Sequence, residues 1–130
     1  MKNLSNNVGK MEYDGLVTDI IPQVQVRGGT VAALTAAATY KRGTALAKSA
    51  KDGKLYILGK TAGTGDTLTA DCILCDDTEI GTADTKVEVY TAGCFDLNKL
   101  TVADEYTITE ADKDKLRERG IVFKAASEAN

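Results

Sequence analysis

The 130-residue chain contains no histidine and no tryptophan, and only one proline. Histidine is the commonest general base and metal ligand, so its absence excludes every catalytic triad that depends on an imidazole. Cysteine, lysine, tyrosine and carboxylate side chains remain, but their spacing forms no recognisable catalytic constellation. We therefore predict no catalytic, cofactor-binding or metal-binding residues, and a protein that is not an enzyme.

Long apolar runs and an excess of positive charge are also missing. No run is long enough to span a bilayer, and the first ten residues, MKNLSNNVGK, contain no hydrophobic signal core. We expect a protein made in a cytoplasm, without a membrane partner. A net charge of −3 argues against a nucleic-acid partner, because such proteins neutralise phosphates with clustered cations. Cations gather in residues 41–60 and acids in 62–85, which indicates either two solvated loop surfaces or one dipolar surface.

The length fits one domain, and the scarcity of aromatic residues leaves a core of Val, Ile, Leu and Ala. Residues 1–14 have the composition of a loose arm, and the apolar residues that follow surround Pro22, which suits an edge strand or an extended arm. Gly28-Gly29 is interpreted as the end of this segment. We predict an N-terminal arm over residues 1–27 and a β-rich domain over residues 28–130.

Short strands dominate the rest of the chain. Asp52-Gly53 is the strongest hairpin signal and predicts pairing of Thr44–Lys48 with Lys54–Leu58. LTADCILC alternates with Leu68, Ala70, Cys72 and Leu74 on one face, and KVEVYTAGCFDL predicts a strand with a bulge at Gly93. The fold class is therefore all-β, with an extended N-terminal arm and one short C-terminal helix.

That helix lies within TITEADKDKLRERGIVFK. Thr109 and Asp112 predict a capping box, and Gly120 occupies the position of a left-handed C-terminal residue. Asp112 with Lys115, and Asp114 with Arg117, are expected to pair three residues apart. The helix is thus self-neutralised, and the chain should continue as a buried strand, Ile121-Val122-Phe123.

Three further motifs have ordinary explanations. Cys72 and Cys75 have the C-x-x-C spacing of redox and zinc sites, but in a strand their side chains should point to opposite faces, and only Cys94 remains as a further thiol. GKTAGTGDT resembles a phosphate loop, yet a strand and not a helix follows it. Four acidic residues between two strands lack the spacing of a calcium loop; they are Asp76, Asp77, Glu79 and Asp84.

Five pieces of the sequence, in order, resemble the lambda-type bacteriophage head decoration proteins. They are YKRGTALA, KDGKL, ADCILCDD, KVEVYTAGCFDLNKL and DKLRERGIVFK, and together they cover about Val24 to Lys124. The first thirty residues match little, and the three cysteines are no signature of that family.

The resemblance implies a β-clip fold that forms a homotrimer on the outer surface of the expanded phage head. Such trimers occupy three-fold and quasi-three-fold positions, bind the major capsid protein and stabilise the shell, so the protein would be part of the virion and be assembled in the host cytoplasm. Independently, the apolar segment after the loose arm suits β-strand addition to a partner. The predicted capsid contacts are Leu16, Val17, Ile20, Ile21, Pro22, Val24 and Val26.

The alternative is a small β-rich module unrelated to capsids. It could be a thiol redox protein that uses Cys72 and Cys75, or a carbohydrate-binding module. The scarcity of aromatic side chains weighs against the second, since sugars usually stack on aromatic rings.

Overall fold

The computed structural model describes residues 16–19 and 23–124 of the chain. Within these residues the fold is strand-dominated, with one short α-helix near the C-terminal end. The elements are β1 (Val17–Asp19), β2 (Gln25–Val31), β3 (Ala38–Tyr40), β4 (Ala45–Ser49), β5 (Leu55–Ile57), β6 (Leu68–Leu74), β7 (Thr78–Ile80), β8 (Thr85–Asp96), a 3₁₀ turn (Leu97–Lys99), α1 (Glu110–Arg119) and β9 (Ile121–Lys124). The predicted all-β class with a late helix is confirmed.

Five strands form a closed ring in the order β8, β2, β5, β4 and β6, because β6 also pairs with β8. The weakest closure is between β2 and β5, which run parallel and share the single pair Val31 and Leu55. The hairpin predicted at Asp52-Gly53 is present and joins β4 to β5 in antiparallel register. β3 and β7 form a separate two-stranded ribbon.

β8 is the longest strand and organises the ring. β2 lies along one edge of its first half, and β6 contacts the other edge at Tyr90 and Val89. Its last residues are flanked by β1 on one side and by β9, in parallel register, on the other. Gly93 has φ of +145°, but the bulge predicted there lies two residues earlier, because Thr91 is the extra residue of β8 in its pairing with β2. In the pairing with β1 the extra residue is Thr18 of β1.

The core consists of two clusters. The first contains the aromatic rings of Tyr90 and Phe95, both buried, with Leu116 of α1 and Ile121 of β9. The second is built mainly from aliphatic side chains, including Val31, Leu46, Leu74 and Ile80. Such a division lets a chain with few aromatic residues bury apolar surface in two shallow layers.

β6 contributes to both clusters, so the prediction that its alternate residues share one face is wrong. Ala70 packs in the first cluster, whereas Cys72 and Leu74 pack in the second. The physical reason is a register shift: Ala47 pairs with Ala70 and Leu46 pairs with Cys72, which leaves Asp71 as an extra residue. An extra residue of this kind moves the following side chains to the other face of the strand.

The helix begins and ends as predicted. The Thr109 side chain accepts a hydrogen bond from the N–H of Asp112, the Asp112 carboxylate accepts one from the N–H of Thr109, and Gly120 adopts φ of +107°. Arg117 donates to Asp114 at 2.9 Å. The predicted pair of Asp112 with Lys115 is wrong, because the Asp112 carboxylate is held by the helix cap and by the hydroxyl of Tyr106.

The prediction that α1 neutralises its own charges is also incomplete, because one of its cations pairs with an acid on another strand. Arg119 contacts the carboxylate of Asp71 on β6 at 3.1 Å, and Asp71 is 8% exposed. The extra residue of β6 therefore provides the anchor for the C-terminal end of the helix. Ile121, which follows directly, is buried, as predicted for the strand that closes the fold, whereas Val122 and Phe123 are only half-buried.

The segment between β8 and α1 covers one end of the ring. The N–H of Ala103 donates to the carbonyl oxygen of Leu58 at 2.9 Å, and the Tyr106 ring lies on the backbone of Gly59. A Cβ at Gly59, where φ is +105°, would lie 2.5 Å from that ring. This contact requires glycine for both its conformation and its lack of a side chain.

The prediction that Gly28-Gly29 ends the N-terminal segment is wrong. β2 continues through both glycines, with Gly28 opposite Glu88 and Gly29 opposite Val87. Because the residues before and after the two glycines also pair with β8, the strand continues through them in spite of the tendency of glycine to interrupt a strand. The predicted boundary between residues 27 and 28 therefore lies inside β2, and the division into arm and domain stays a prediction.

Candidate functional site

The N-terminal segment lies along one edge of β8. Val17 pairs with Phe95, and the N–H of Asp96 donates to the carbonyl oxygen of Leu16 at 2.9 Å. Further along the chain, Gln25 pairs with Ala92 as β2 begins. β1 and β2 thus occupy the same edge of β8.

The structure places the predicted capsid contacts in different environments. Leu16 and Val17 are each 2% exposed and belong to the first core cluster, while Val24 is half-buried against it. Val26 is 49% exposed. The remaining predicted residues, Ile20, Ile21 and Pro22, lie outside the described residues. The buried residues at the start of the segment anchor it, and Val26 is available for contact.

The pattern around Pro22 predicted an edge strand, but one that ends at Gly28-Gly29; what the prediction missed is the continuation of the exposed edge of β2 through these glycines. Its residues from Gln25 to Gly28 are exposed, yet they pair with β8 on one side only. The available signal was the alternation of Val24 and Val26 continuing through Gly28 to Thr30. The glycine pair obscured it, because it was interpreted as punctuation.

The segregated charges of the sequence meet in the structure. Lys54 contacts Asp84 at 2.7 Å, and Lys41 contacts Asp77 at 3.8 Å. The hydrogen bond from Lys54, together with one from the N–H of Ala33, holds the pKa of Asp84 below its usual value. Cations of residues 41–60 are therefore partly neutralised by acids of residues 62–85, which reduces the dipole of the surface.

Arg42, which precedes β4, contacts the segment that follows β6 and the buried Tyr90 of β8. Its guanidinium donates to the carbonyl oxygen of Cys75 at 3.0 Å and to the hydroxyl of Tyr90, and it lies 5.4 Å from the centre of the Tyr90 ring. The backbone N–H of Arg42 donates to the carboxylate of Asp77 at 2.7 Å. This half-buried cation is held by the fold, so its geometry indicates a structural role.

The thiols do not form a reactive site. Cys72 lies in the second core cluster and Cys75 in the first, so the two side chains point to different faces, as predicted. Burial raises the pKa of Cys75 to about 12 and raises that of Cys72 further still. A buried thiol whose pKa is raised is a poor nucleophile. Cys94 is buried as well, and no disulfide joins any two of the three cysteines.

The other motifs also fail to assemble a binding site. The GKTAGTGDT loop leads into β6, so it has no helix N-terminus for a phosphate. Across residues 16–19 and 23–124, no group of three or more metal-ligating side chains is close enough to hold an ion. No helix in the described part of the chain is long and apolar enough to cross a membrane.

Together these features define a small strand-dominated protein whose notable surface is a partly buried N-terminal segment at the edge of a closed ring. The family model of the bacteriophage lambda head decoration protein D matches residues 8–122 of the 130-residue chain. Because the match covers most of the chain, the chain belongs to that family. No curated protein sequence matches it.

Membership establishes the class of function. The family consists of structural components of the phage head and is not an enzyme family. At the level of the family, the chain is a capsid decoration protein, and its partner is the phage capsid.

Proposed function

We propose that the protein binds as a homotrimer to the outer surface of the expanded phage head, at three-fold and quasi-three-fold positions, and stabilises the shell there. The family match supports the capsid as partner. The observation that carries the finer proposal is that Val17–Asp19 and Gln25–Val31 lie on the same edge of β8, with Leu16 bonded at that edge.

The arm and the apolar segment after it would contact the major capsid protein by strand addition. An arm that becomes ordered on binding loses conformational entropy, so one arm alone binds weakly. Three arms on one trimer raise the effective concentration of the second and third contacts, so the trimer binds tightly. Avidity of this kind explains how a small protein could hold neighbouring capsid subunits together without a large interface per chain.

Within the segment, the structure supports two distinct roles for the predicted contacts. Leu16 and Val17 would fix the point at which the arm leaves the protein, since both are buried. Val26 would touch the capsid protein directly, since half of its side chain is exposed. We retain Ile20, Ile21, Pro22 and Val24 as proposed contacts between these two points.

The test combines oligomeric state with head binding. Light scattering on the purified protein should give the mass of a trimer, and co-sedimentation should show saturable binding to expanded heads and none to immature heads. Removal of residues 1–14 should weaken binding strongly while the trimer persists. A monomer that ignores expanded heads would refute the proposal.

A pair of substitutions separates contact from folding. Val26→Asp should reduce head affinity without lowering the unfolding temperature, because Val26 is exposed in the free protein. Thr39→Asp, at an exposed position of the β3–β7 ribbon, is the matched control and should bind like the unaltered protein. Equal loss in both variants would show that the added charge, and not the position, matters.

A further inference from the structure

The two edges of β2 differ in their pairing. Its inner edge pairs with β8 along its whole length, from Gln25 to Val31. Its outer edge meets β5 only at Val31, opposite Leu55, with a hydrogen bond from the N–H of Ala32 to the carbonyl oxygen of Leu55 at 3.0 Å. Among the described residues, nothing pairs with the outer edge from Gln25 to Thr30.

Two hydrogen bonds show which backbone groups face that open edge. The carbonyl oxygen of Glu88 accepts from the N–H of Cys75 at 3.0 Å, on the side of β8 away from β2. Gly28, opposite Glu88, is therefore a non-hydrogen-bonded partner, and its own N–H and C=O point outward. The N–H of Ala32 also points outward, since it donates to Leu55. Because every second residue of a strand directs its N–H and C=O to the same side, those of Val26 and Gly28 lie at the open edge.

The two adjacent glycines have different reasons to be glycine. A Cβ at Gly29 would lie 2.8 Å from Cδ1 of Leu55, so the packing of the ring requires its absence. A Cβ at Gly28 would meet only the carbonyl oxygen of Val87 at 4.0 Å, an ordinary contact, and Gly28 is not among the glycines with positive φ. The fold of the chain itself thus gives no reason for glycine at position 28.

Glycine within a strand otherwise marks a place where another backbone or a ligand approaches closely. Gly28 forms part of the floor of a surface groove of about 430 Å³. The lining is mixed in character and consists of Gly28, Asp76, Thr78, Lys86, Val87 and Glu88. Val26, two residues from Gly28 and on the same face of β2, is the one large apolar side chain that is exposed in the described part of the chain.

We infer that the outer edge of β2, from Gln25 to Thr30, accepts an extended strand of the capsid protein, with a large apolar or aromatic side chain lying over Gly28. The inference rests on the proposed function and deepens it: the chain would receive a strand on β2 as well as contribute its own arm. The incoming backbone would bond the outward groups of Val26 and Gly28. A side chain opposite a strand glycine covers the exposed backbone and neighbouring apolar surface.

Symmetry favours the capsid strand over a second copy of the chain. Two β2 edges that pair with each other form a closed two-fold dimer, which does not fit a ring of three subunits. Val26, a proposed capsid contact, lies within this edge, so one segment of the capsid protein could cover both Val26 and Gly28. Arg27, a charged residue in the middle of the edge, discourages pairing with unrelated strands.

The experiment measures amide hydrogen exchange in the free protein and in the protein bound to expanded heads. In the free protein the amides of Val26 and Gly28 should exchange rapidly, since they face solvent. On heads they should become protected by a factor of about 10 or more, as expected when an exposed amide enters a strand ladder. Gly28→Val, which fills the groove but suits a strand, should weaken head binding by about tenfold.

Gly63→Val is the matched control, because Gly63 is equally open and exposed but lies in the loop before β6. It should bind heads like the unaltered protein. If the unaltered protein binds heads while both amides stay unprotected, the edge proposal is overturned and the proposed function stands. Protection already present in the free trimer would assign the edge to a second copy, and a failure of the unaltered protein to bind heads would refute the proposed function itself.

Discussion

The two edges of β8 are covered in different ways. On one edge, β6 and β9 are backed by α1, whose Leu116 is fully buried and whose Arg119 is paired with the buried carboxylate of Asp71. On the other edge lie β1 and β2; beyond β8, β2 pairs only at Val31, with β5, and it exposes Val26 and Gly28. We call these the backed edge and the open edge. The comparison indicates that stability is concentrated on the backed edge, which leaves the open edge available for binding.

The largest expected effect is loss of the helix anchor on the backed edge. Leu116→Ala removes a fully buried side chain from the first core cluster and should lower the free energy of unfolding by about 2–5 kcal/mol. Denaturant unfolding at one fixed protein concentration measures it, because the stability of an oligomer depends on concentration. Lys115→Ala, at an exposed position of the same helix, should change it by less than about 0.5 kcal/mol.

The Leu116→Ala variant also tests the division between the edges. At a temperature where it remains folded, its affinity for expanded heads should equal that of the unaltered protein. A parallel loss of affinity would show that the two edges are coupled and would break the comparison.

A smaller effect is expected at the end of the ring that Tyr106 covers. Gly59→Ala places a methyl group against the Tyr106 ring at a position with φ of +105°, and should cost about 1–3 kcal/mol of stability. Gly65→Ala is its control, because Gly65 also has a positive φ, of +77°, but nothing lies within 4 Å of a Cβ there. Thermal unfolding of the two variants side by side gives the comparison, and equal midpoints would show that Tyr106 moves aside without cost.

The helix cap should contribute less again. Thr109→Ala removes the side chain that accepts from the N–H of Asp112, with an expected loss of about 1 kcal/mol. Thr109→Ser keeps the accepting oxygen and should restore most of that loss. If alanine and serine behave alike, the cap is not what fixes the start of the helix.

The smallest effect concerns the junction between the two edges, where the ring closes through Val31 and Leu55. Asp84 holds this junction by bonding Lys54 and the N–H of Ala33, and these bonds lower its pKa in the folded protein. Between the lowered pKa and the usual value near 4, the unfolded chain binds more protons. The contribution of Asp84 is therefore present above about pH 4 and is lost as the pH falls further.

An acid titration of the thermal midpoint checks this junction. Asp84→Asn should flatten the decline of stability below about pH 4, whereas Asp104→Asn, at an exposed turn position, serves as the control and should follow the unaltered protein. An unchanged slope in Asp84→Asn would show that the ring closes without help from this carboxylate.

Local signals in the sequence predicted much of the fold. The turn at Asp52-Gly53, the capping box of Thr109 and Asp112 and the left-handed Gly120 are each set within a few residues, so their outcome depends little on the rest of the chain. The family resemblance, carried by five pieces in order, led to the family whose model matches residues 8–122.

Features that depend on distant partners could not be predicted. The extra residue Asp71 in β6 follows from its register with β4, and the partner of Arg119 follows from that bulge. The proposed role of Gly28 follows from the lack of a pairing strand on its outer side among the described residues, and no residue near it in sequence reveals that. The candidate site was therefore predicted as a segment, while its open edge required the three-dimensional pairing.

The flanking of Phe95 and Asp96 by β1 and β9 has a consequence for engineering. Val17 lies opposite Phe95 on one side of β8, and Lys124 lies opposite Asp96 on the other. Two strand spacings separate them, about 10 Å, which a linker of a few residues spans. The two ends of the described chain therefore lie close together in space. In a circularly permuted version, a linker joins Lys124 to Val17 and the chain is opened at the exposed Gly63. This version should keep the ring and carry no terminal arm at the edge of the sheet.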